Sequence, residues 1–197
     1  MDKLTIDTYD KNSSFYADKF AGVGSRIDCI EKTFAAWGGK NPRVLEIGCG
    51  DGRDAVEICK RTKHYLGIDA SKGMIELAMA KVPHGNFRNA YMENYDFGRD
   101  LDIIFAFASL LHVSKEVFEQ ILTSSKSALG ENGIFFMSLK EDDYNGAQVV
   151  SDNFGDRKFY YYREADIIEM AEGFECLSVE RLVVGRTNWL NIMLRRK

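Results

Sequence analysis

The sequence predicts an open, doubly wound α/β sheet, mostly parallel, with an antiparallel hairpin at its C-terminal end. Three observations carry this prediction. Strand-like and helix-like segments alternate from 43 to 138, as parallel strands joined by crossover helices require. Two runs within that stretch, Leu101 to Ala106 and Gly133 to Ser138, are nearly continuous in apolar residues, the pattern of strands covered on both faces. Phe174 to Val183 and Asn188 to Leu194 are strand-like and separated only by Val184-Gly185-Arg186-Thr187, a link short enough to permit only an antiparallel pair.

Taken in order, residues 9–20 read as a short amphipathic helix whose large side chains are Tyr9, Phe15, Tyr16 and Phe20. Ser25 is the candidate N-cap of a second helix carrying Ile27, Ile30, Phe34 and Trp37, which Gly38-Gly39 ends. Pro42 then introduces Val44-Leu45-Glu46-Ile47 as a first strand, followed by a glycine-rich turn and a helix over about 53–61. His64 to Ile68 reads as the second strand, Lys72 to Lys81 as the next helix and Phe87-Arg88-Asn89 as a weak third strand. A helix over Lys115 to Leu129 puts Val117, Phe118, Ile121 and Leu122 on one side. The polar stretch from about 140 to 158 is too long to be a mere connector.

A chain of 197 residues, 45% apolar and 28% charged, has room for one sizeable core, and is expected to be one domain over 1–197. The expected division is N-terminal helices over 1–38, a ligand-binding core over 43–138, a substrate-side loop over 139–163, and a final helix and hairpin over 164–197. A net charge of −4 argues against a dedicated nucleic-acid binder, which needs clustered Lys and Arg. The longest basic cluster, Arg195-Arg196-Lys197, reads as a solvated tail. No apolar run approaches the roughly 20 residues that span a bilayer, and the polar stretch after Met1 carries no apolar run, so neither a secretory signal nor any location but the cytoplasm is expected. Cys29, Cys49, Cys59 and Cys176 form no C-x-x-C pair and have no His at ligand spacing, so neither a metal site nor a disulfide framework is expected.

The chemically informative segment is Val44-Leu45-Glu46-Ile47-Gly48-Cys49-Gly50-Asp51-Gly52-Arg53, where a strand hands over to a helix and bare backbone can approach a ligand. A dinucleotide fingerprint, G-x-G-x-x-G, would need its third glycine at position 53, where Arg53 stands. That departure argues against a nicotinamide-dependent oxidoreductase. Asp69, at the end of the next strand, sits where a carboxylate can accept hydrogen bonds from a ribose diol. A glycine bend paired with an acidic strand end is a stronger signal than either half.

The runs VLEIGCGDGRDA, YLGIDAS, LDIIFAFASLLHV and ALGENGIFF, in this order and spacing, resemble the class I, Rossmann-like S-adenosylmethionine-dependent methyltransferases over about half the chain. The tail, with FYYYRE, GFE and NWLNIMLRR, is similar to a group of small bacterial members of mostly unassigned substrate. The resemblance implies a seven-stranded sheet whose last strand is antiparallel, and S-adenosylmethionine as cofactor. It implies that Glu46, Gly48, Cys49 and Gly50, with Gly52 in the same bend, line the methionine end, that Asp69 binds the ribose hydroxyls, and that Ala70 and Met74 flank the adenine with Met92 on its other face. The family commonly has an acidic residue after the third strand; Tyr91 stands there, leaving Asn89 or backbone to contact the adenine amino group. Arg53 and Asp54 match a G-x-G-R-D variant and serve either to tie the loop down or to touch ligand.

Methyl transfer from a sulfonium is an in-line displacement that positioning can accelerate without any obligatory acid or base. The expected wall of the reaction pocket is Phe107-Ala108-Ser109-Leu110-Leu111-His112. His112 is either a general base or a packing residue; Ser109 either orients the acceptor or caps a helix. Tyr9, Tyr16, Tyr161 and Lys140 are expected to help form a lid, with Tyr9 and Tyr16 on one helical face and Tyr16 counted with the catalytic residues. Methyltransferases acting on exocyclic base amines usually carry [DNS]-P-P-[YF] where this chain has Ala106-Phe107-Ala108-Ser109, and no Pro-Cys pair exists. A small-molecule acceptor is therefore favoured over RNA or protein, with no membrane partner; a non-catalytic sensor or scaffold that binds the cofactor is the alternative.

Overall fold

The computed structural model describes residues 1–144 and 146–197. Its main sheet has seven strands. Five are parallel: β1 (Arg43–Ile47), β2 (His64–Asp69), β3 (Asn86–Asn89), β4 (Leu101–Phe107) and β5 (Leu129–Lys140). Beyond β5 lie β9 (Thr187–Arg196) and then β8 (Phe174–Val184), both antiparallel to their neighbours, giving the order β3-β2-β1-β4-β5-β9-β8. The doubly wound sheet with an antiparallel terminal hairpin is thus as expected. β1 to β3 are laid down in one direction and β4 to β5 in the other, so a crevice opens between the carboxyl ends of β1 and β4.

The near-continuous apolar runs have the expected cause. Ile103–Phe107 of β4 and 133–139 of β5 are buried without a break, because both strands are central and covered on each face. One face packs Ile30 of α3 (Ile27–Trp37), Ala55 and Ile58 of α4 (Ala55–Ile58) and Ile75 and Ala78 of α5 (Lys72–Lys81). The other packs Phe118, Ile121 and Leu122 of α6 (Lys115–Ala128) and Ile167 of α7 (Glu164–Met170).

Four local expectations are corrected. The single helix over 9–20 is two, α1 (Lys3–Lys11) and α2 (Ser13–Phe20), broken at Asn12. The Asn12 amide donates to the Thr8 and Phe154 carbonyls (3.0 and 2.8 Å), which fixes the break. The early start is set by Asp2, whose side chain accepts from the Leu4 and Thr5 amides. The buried face of α1 includes Thr5 and Thr8, polar residues that hide the helical period. Ser25 does not cap α3: its hydroxyl donates to the Arg53 carbonyl (2.5 Å), and Arg26 stands at the cap position. The helix over 53–61 shrinks to α4, because Asp54 is drawn aside to Arg26 and the chain after Cys59 tightens, the Arg61 amide bonding the Ile58 carbonyl. The hairpin link is two residues rather than four: Val184 pairs with Thr187 across Gly185, whose φ of +63° suits a tight turn.

The stretch after β5 contains a second sheet, β6 (Gln148–Asp152) paired antiparallel with β7 (Gly155–Phe159). α1 lies along β7: the Thr8 hydroxyl donates to the Asp156 carbonyl (2.7 Å), and the Lys158 amide to the Thr5 hydroxyl (2.9 Å). Among the described residues no helix is long and apolar enough to cross a membrane.

Candidate active site

The bend after β1 is held by one carbonyl. The Gly48 and Cys49 amides both donate to the Ile68 carbonyl at the end of β2 (2.8 and 3.0 Å). Gly48, Gly50 and Gly52 all have positive φ (+72°, +54° and +77°), a region where side chains are disfavoured. Gly48 is indispensable on a second ground: a Cβ there would lie 2.3 Å from that of Ser109. The space around Gly50 is open.

Asp69 ties this bend to β2. Its Oδ2 accepts from the Gly50 amide (2.9 Å) and its Oδ1 from the Ser71 amide (2.8 Å). A carboxylate has about four lone-pair sites, so each oxygen keeps one for a ligand. Burial raises its pKa; the two amide bonds oppose the shift. Behind the bend, buried Glu46 accepts from the Tyr65 hydroxyl (2.6 Å), and burial, then Asp54, push its pKa well above the ordinary carboxylate range. Buried Asp54 accepts the Arg26 amide (2.7 Å) and pairs with the Arg26 guanidinium, with Arg53 3.8 Å away. The Arg26 guanidinium lies 5.1 Å from the Phe107 ring centre.

At the other end, Ala108 has φ +53° and Ser109 donates through Oγ to the Ile47 carbonyl (2.6 Å), locking the segment after β4 onto β1. Ser109 makes no side-chain cap on the short 3-10 turn Leu110–His112. His112 is 3% exposed. Its Nδ1 lies 2.7 Å from the Lys158 carbonyl, which can only accept, so Nδ1 carries the proton. Nε2 then accepts from the Tyr9 hydroxyl (3.0 Å), and Tyr9 in turn accepts from Arg157 Nη1 (3.2 Å). Burial, aided by the charges of Arg157 and Lys140, pulls the His112 pKa down to about 4, so the ring is neutral at pH 7. Burial pushes the Tyr9 hydroxyl pKa up.

These groups surround one cavity of about 90 Å³. Glu46, Gly48, Cys49, Gly50, Asp69, Met74, Phe107, Ser109, His112 and Tyr16 all line it. Gly52, Ala70 and Met92 stand outside its wall: Gly52 abuts Ala78 of α5, and Met92 is in the core beside Ile68. Lys140 and Tyr161 are also outside; Lys140 lies over the Phe159 ring, and Tyr91 is 48% exposed. Asn89 spends its amide hydrogens on the Asp69 and Ala70 carbonyls. The roof is Tyr9, Tyr16, Ala17 and Phe20. Tyr9 and Tyr16 sit on different helices, not one face, yet their rings meet edge to face at 5.3 Å. Asp10 clips α1 to the start of α5, accepting from Ser71 Oγ (2.9 Å) and the Gly73 amide (2.8 Å). The small volume reflects this cover, since small-molecule pockets usually run to about 300–1,000 Å³. Arg26 and Arg157 escaped the sequence reading; neither belongs to a local motif, and both reach the site through tertiary contacts.

A Rossmann-like sheet with an antiparallel terminal pair, a glycine bend after β1 and a carboxylate ending β2 is the class I methyltransferase fold. A solved magnesium protoporphyrin IX methyltransferase from Synechocystis, bound to SAH, superposes with a TM-score of 0.78 at 15% identity, covering 98% of each chain. In sequence, residues 44–133 match the family model described as a methyltransferase domain. The ubiquinone biosynthesis O-methyltransferase of Pelagibacter ubique is 30% identical over 103 residues, 50% of this chain and 42% of that protein. Malonyl-[acyl-carrier protein] O-methyltransferase 1 of Ilyobacter polytropus is 25% identical over 171 residues, 84% of this chain and 58% of that protein. The chain thus spans about half the length of these curated relatives.

Proposed function

We propose that this chain transfers a methyl group from S-adenosylmethionine to a small-molecule acceptor. The observation that carries the reading is the shared hydrogen bond between Asp69 and the Gly50 amide, inside the cavity whose far wall is Ser109 and His112. The residues present fit a nucleoside sulfonium. Asp69 keeps free lone pairs for a ribose diol, Gly50 leaves its side open, and Met74 offers an apolar flank to the base. Arg26 and Arg53 face Asp54 as two cations to one anion, a surplus that suits the carboxylate of the methionine moiety. Glu46, Gly48 and Cys49 line the same end; Ala70 and Met92 would act by shaping the adenine side from outside the wall. When bound, the cofactor supplies an electrophilic methyl group on sulfur.

The chain's own residues then exclude water and orient the acceptor. Tyr9, Tyr16 and Phe20 cover the cavity, and α1 is fastened at both sides by Asp10 and Thr8. Ser109 fixes the pocket wall through its bond to β1 rather than by donating to a ligand. Because the His112 lone pair is engaged by Tyr9, any proton it takes has to pass through the Tyr9 hydroxyl. A ring with a pKa near 4 is a weak base, which favours the Tyr9–His112 pair as an orienting device. Enclosure supports a small acceptor, and the likeness to an O-methyltransferase of ubiquinone biosynthesis is consistent with one.

The test is a thermal shift with S-adenosylhomocysteine, S-adenosylmethionine and NAD in parallel. A ligand that binds only the native state raises its melting temperature. The first two are expected to do so and NAD is not; stabilisation by NAD alone would refute the reading. A sensor would bind equally well but release no S-adenosylhomocysteine under any acceptor.

A further inference from the structure

We propose that the acceptor is an aromatic amine that donates an N–H to the Tyr9 hydroxyl oxygen. The inference rests on the methyltransferase reading and narrows it to a substrate class.

The hydrogen bonds at the reacting end all run one way. Arg157 Nη1 can only donate, and does so to Tyr9 (3.2 Å). At the other end the Lys158 carbonyl can only accept, and it takes the Nδ1 proton of His112 (2.7 Å). The Tyr9 proton is thereby committed to His112 Nε2 (3.0 Å). Burial pushes the Tyr9 pKa up, so the hydroxyl keeps that proton. A hydroxyl oxygen has two lone pairs, and Arg157 occupies one of them. What Tyr9 offers the cavity is the other.

Ser109 has the same polarity. Its Oγ donates to the Ile47 carbonyl (2.6 Å), which leaves only lone pairs for a ligand. His112 has no nitrogen to spare. Tyr9, Ser109 and His112 all line the cavity that Asp69 lines. The Tyr16 hydroxyl makes no hydrogen bond among the described residues and can turn either way, so it does not discriminate.

This polarity sorts the possible acceptors. A carboxylate or phenolate would set lone pairs against lone pairs, where water is excluded and unpaired polar atoms are costly. A neutral hydroxyl can donate to Tyr9 but has to lose its proton as it attacks. His112, held by burial at a pKa of about 4 with its lone pair engaged, is too weak to take a proton from a phenol, whose pKa is about 10. An alkylamine is protonated at pH 7; it has no lone pair to attack with, and it would add a cation to the charges of Arg157 and Lys140 beside His112. An aromatic amine is neutral at pH 7, with an N–H to donate and a lone pair to attack. Its flat ring also suits a cavity lined by Tyr9, Tyr16, Phe20 and Phe107.

The transfer balances without a base. Nitrogen forms the N–CH3 bond with its lone pair as the S–CH3 bond breaks with its electron pair left on sulfur. The positive charge passes from sulfur to nitrogen, and the arylammonium sheds its extra proton to water on release. Tyr9 contributes by holding the N–H, which aims the nitrogen lone pair at the methyl carbon.

The test uses the intact protein. Calorimetry first records loading with S-adenosylhomocysteine, then uptake of aniline, toluene and benzoate by the loaded protein. These one-ring probes differ in what they present to Tyr9. Aniline is expected to bind about tenfold more tightly than toluene, the worth of one hydrogen bond, and benzoate no more tightly than toluene. Aniline should also shift the His112 Nε2 resonance, because a Tyr9 oxygen that accepts a further N–H polarises its own O–H. Tyr9→Phe should erase the preference while S-adenosylhomocysteine affinity holds; should that variant fail to load, the wild-type His112 shift decides. With S-adenosylmethionine, aniline should yield N-methylaniline and phenol no anisole. Loading with no preference for aniline, an unmoved His112 signal, a preference that survives Tyr9→Phe, absence of N-methylaniline, or methylation of phenol overturns this proposal alone. Failure of the wild type to load overturns the methyltransferase reading, and this proposal with it.

Discussion

Replacing Gly48 by alanine isolates the contact that shapes the candidate site. The φ of +72° costs an L-residue about 1–2 kcal/mol. The new Cβ would lie 2.3 Å from Ser109 Cβ, far inside contact distance. Ser109 has little freedom to retreat, because it is 5% exposed and its hydroxyl holds the Ile47 carbonyl at 2.6 Å. Giving up that buried bond costs about 1–3 kcal/mol. Together these place the destabilisation at about 2–5 kcal/mol, readable as a lower urea midpoint with an unchanged m-value. Adding Ser109→Gly removes the struck atom, so the double variant should fall short of additivity by about 1–3 kcal/mol. A Gly48→Ala protein within about 0.5 kcal/mol of wild type, or strict additivity in the double variant, would refute the packing argument.

Three further outcomes are expected. Tyr9→Phe leaves buried His112 Nε2 without its donor, so stability should drop by about 1–3 kcal/mol. Turnover, once an acceptor is in hand, should fall with S-adenosylhomocysteine affinity held; unchanged turnover would remove Tyr9 from the mechanism. His112 should remain neutral and protonated at Nδ1 in imidazole NMR spectra until the pH approaches about 4. Since the unfolded ring takes up its proton near 6.5, its contribution, about 3 kcal/mol, is full above 6.5 and lost as pH falls toward 4. Glu46 acts oppositely, its raised pKa making its contribution fade as pH rises through the folded value, so the ring's own resonance is the proper readout; titration near 6.5 would contradict the buried pair. Asp10→Ala removes both bonds that clip α1 to α5 and should speed release of S-adenosylhomocysteine in stopped-flow measurements. An unchanged off-rate would mean that the helices do not gate the cavity.

The parts of the molecule legible in the sequence were those set by local chemistry. The buried runs ending in Ala106 and Ser138 announced central strands, and the glycines at 48, 50 and 52 announced a backbone bend, which all three form with positive φ. Asp69 was legible because it follows the strand-like run His64 to Ile68 and so falls at the ligand edge of the sheet. What stayed hidden was set by distant partners. Thr5 and Thr8 are buried because β7 offers them backbone partners, so the helix they belong to lacked an apolar stripe. Arg26 displaced Ser25 from the cap because Asp54 binds both its amide and its guanidinium. The β6–β7 pair is short and largely exposed, which leaves little hydrophobic alternation to read. The His112–Tyr9–Arg157 chain is made of bonds that each span more than a hundred positions, beyond any local pattern.

The central claim is that Asp69 and the Gly50 bend together grip the nucleoside of a methyl donor. Isothermal calorimetry of S-adenosylhomocysteine with the wild type and with Asp69→Ala tests it most directly. Loss of two hydrogen bonds to a charged acceptor should weaken binding by about 3–6 kcal/mol, enough to abolish measurable heat. Equal affinity in the two proteins, or no uptake by the wild type, would contradict the account.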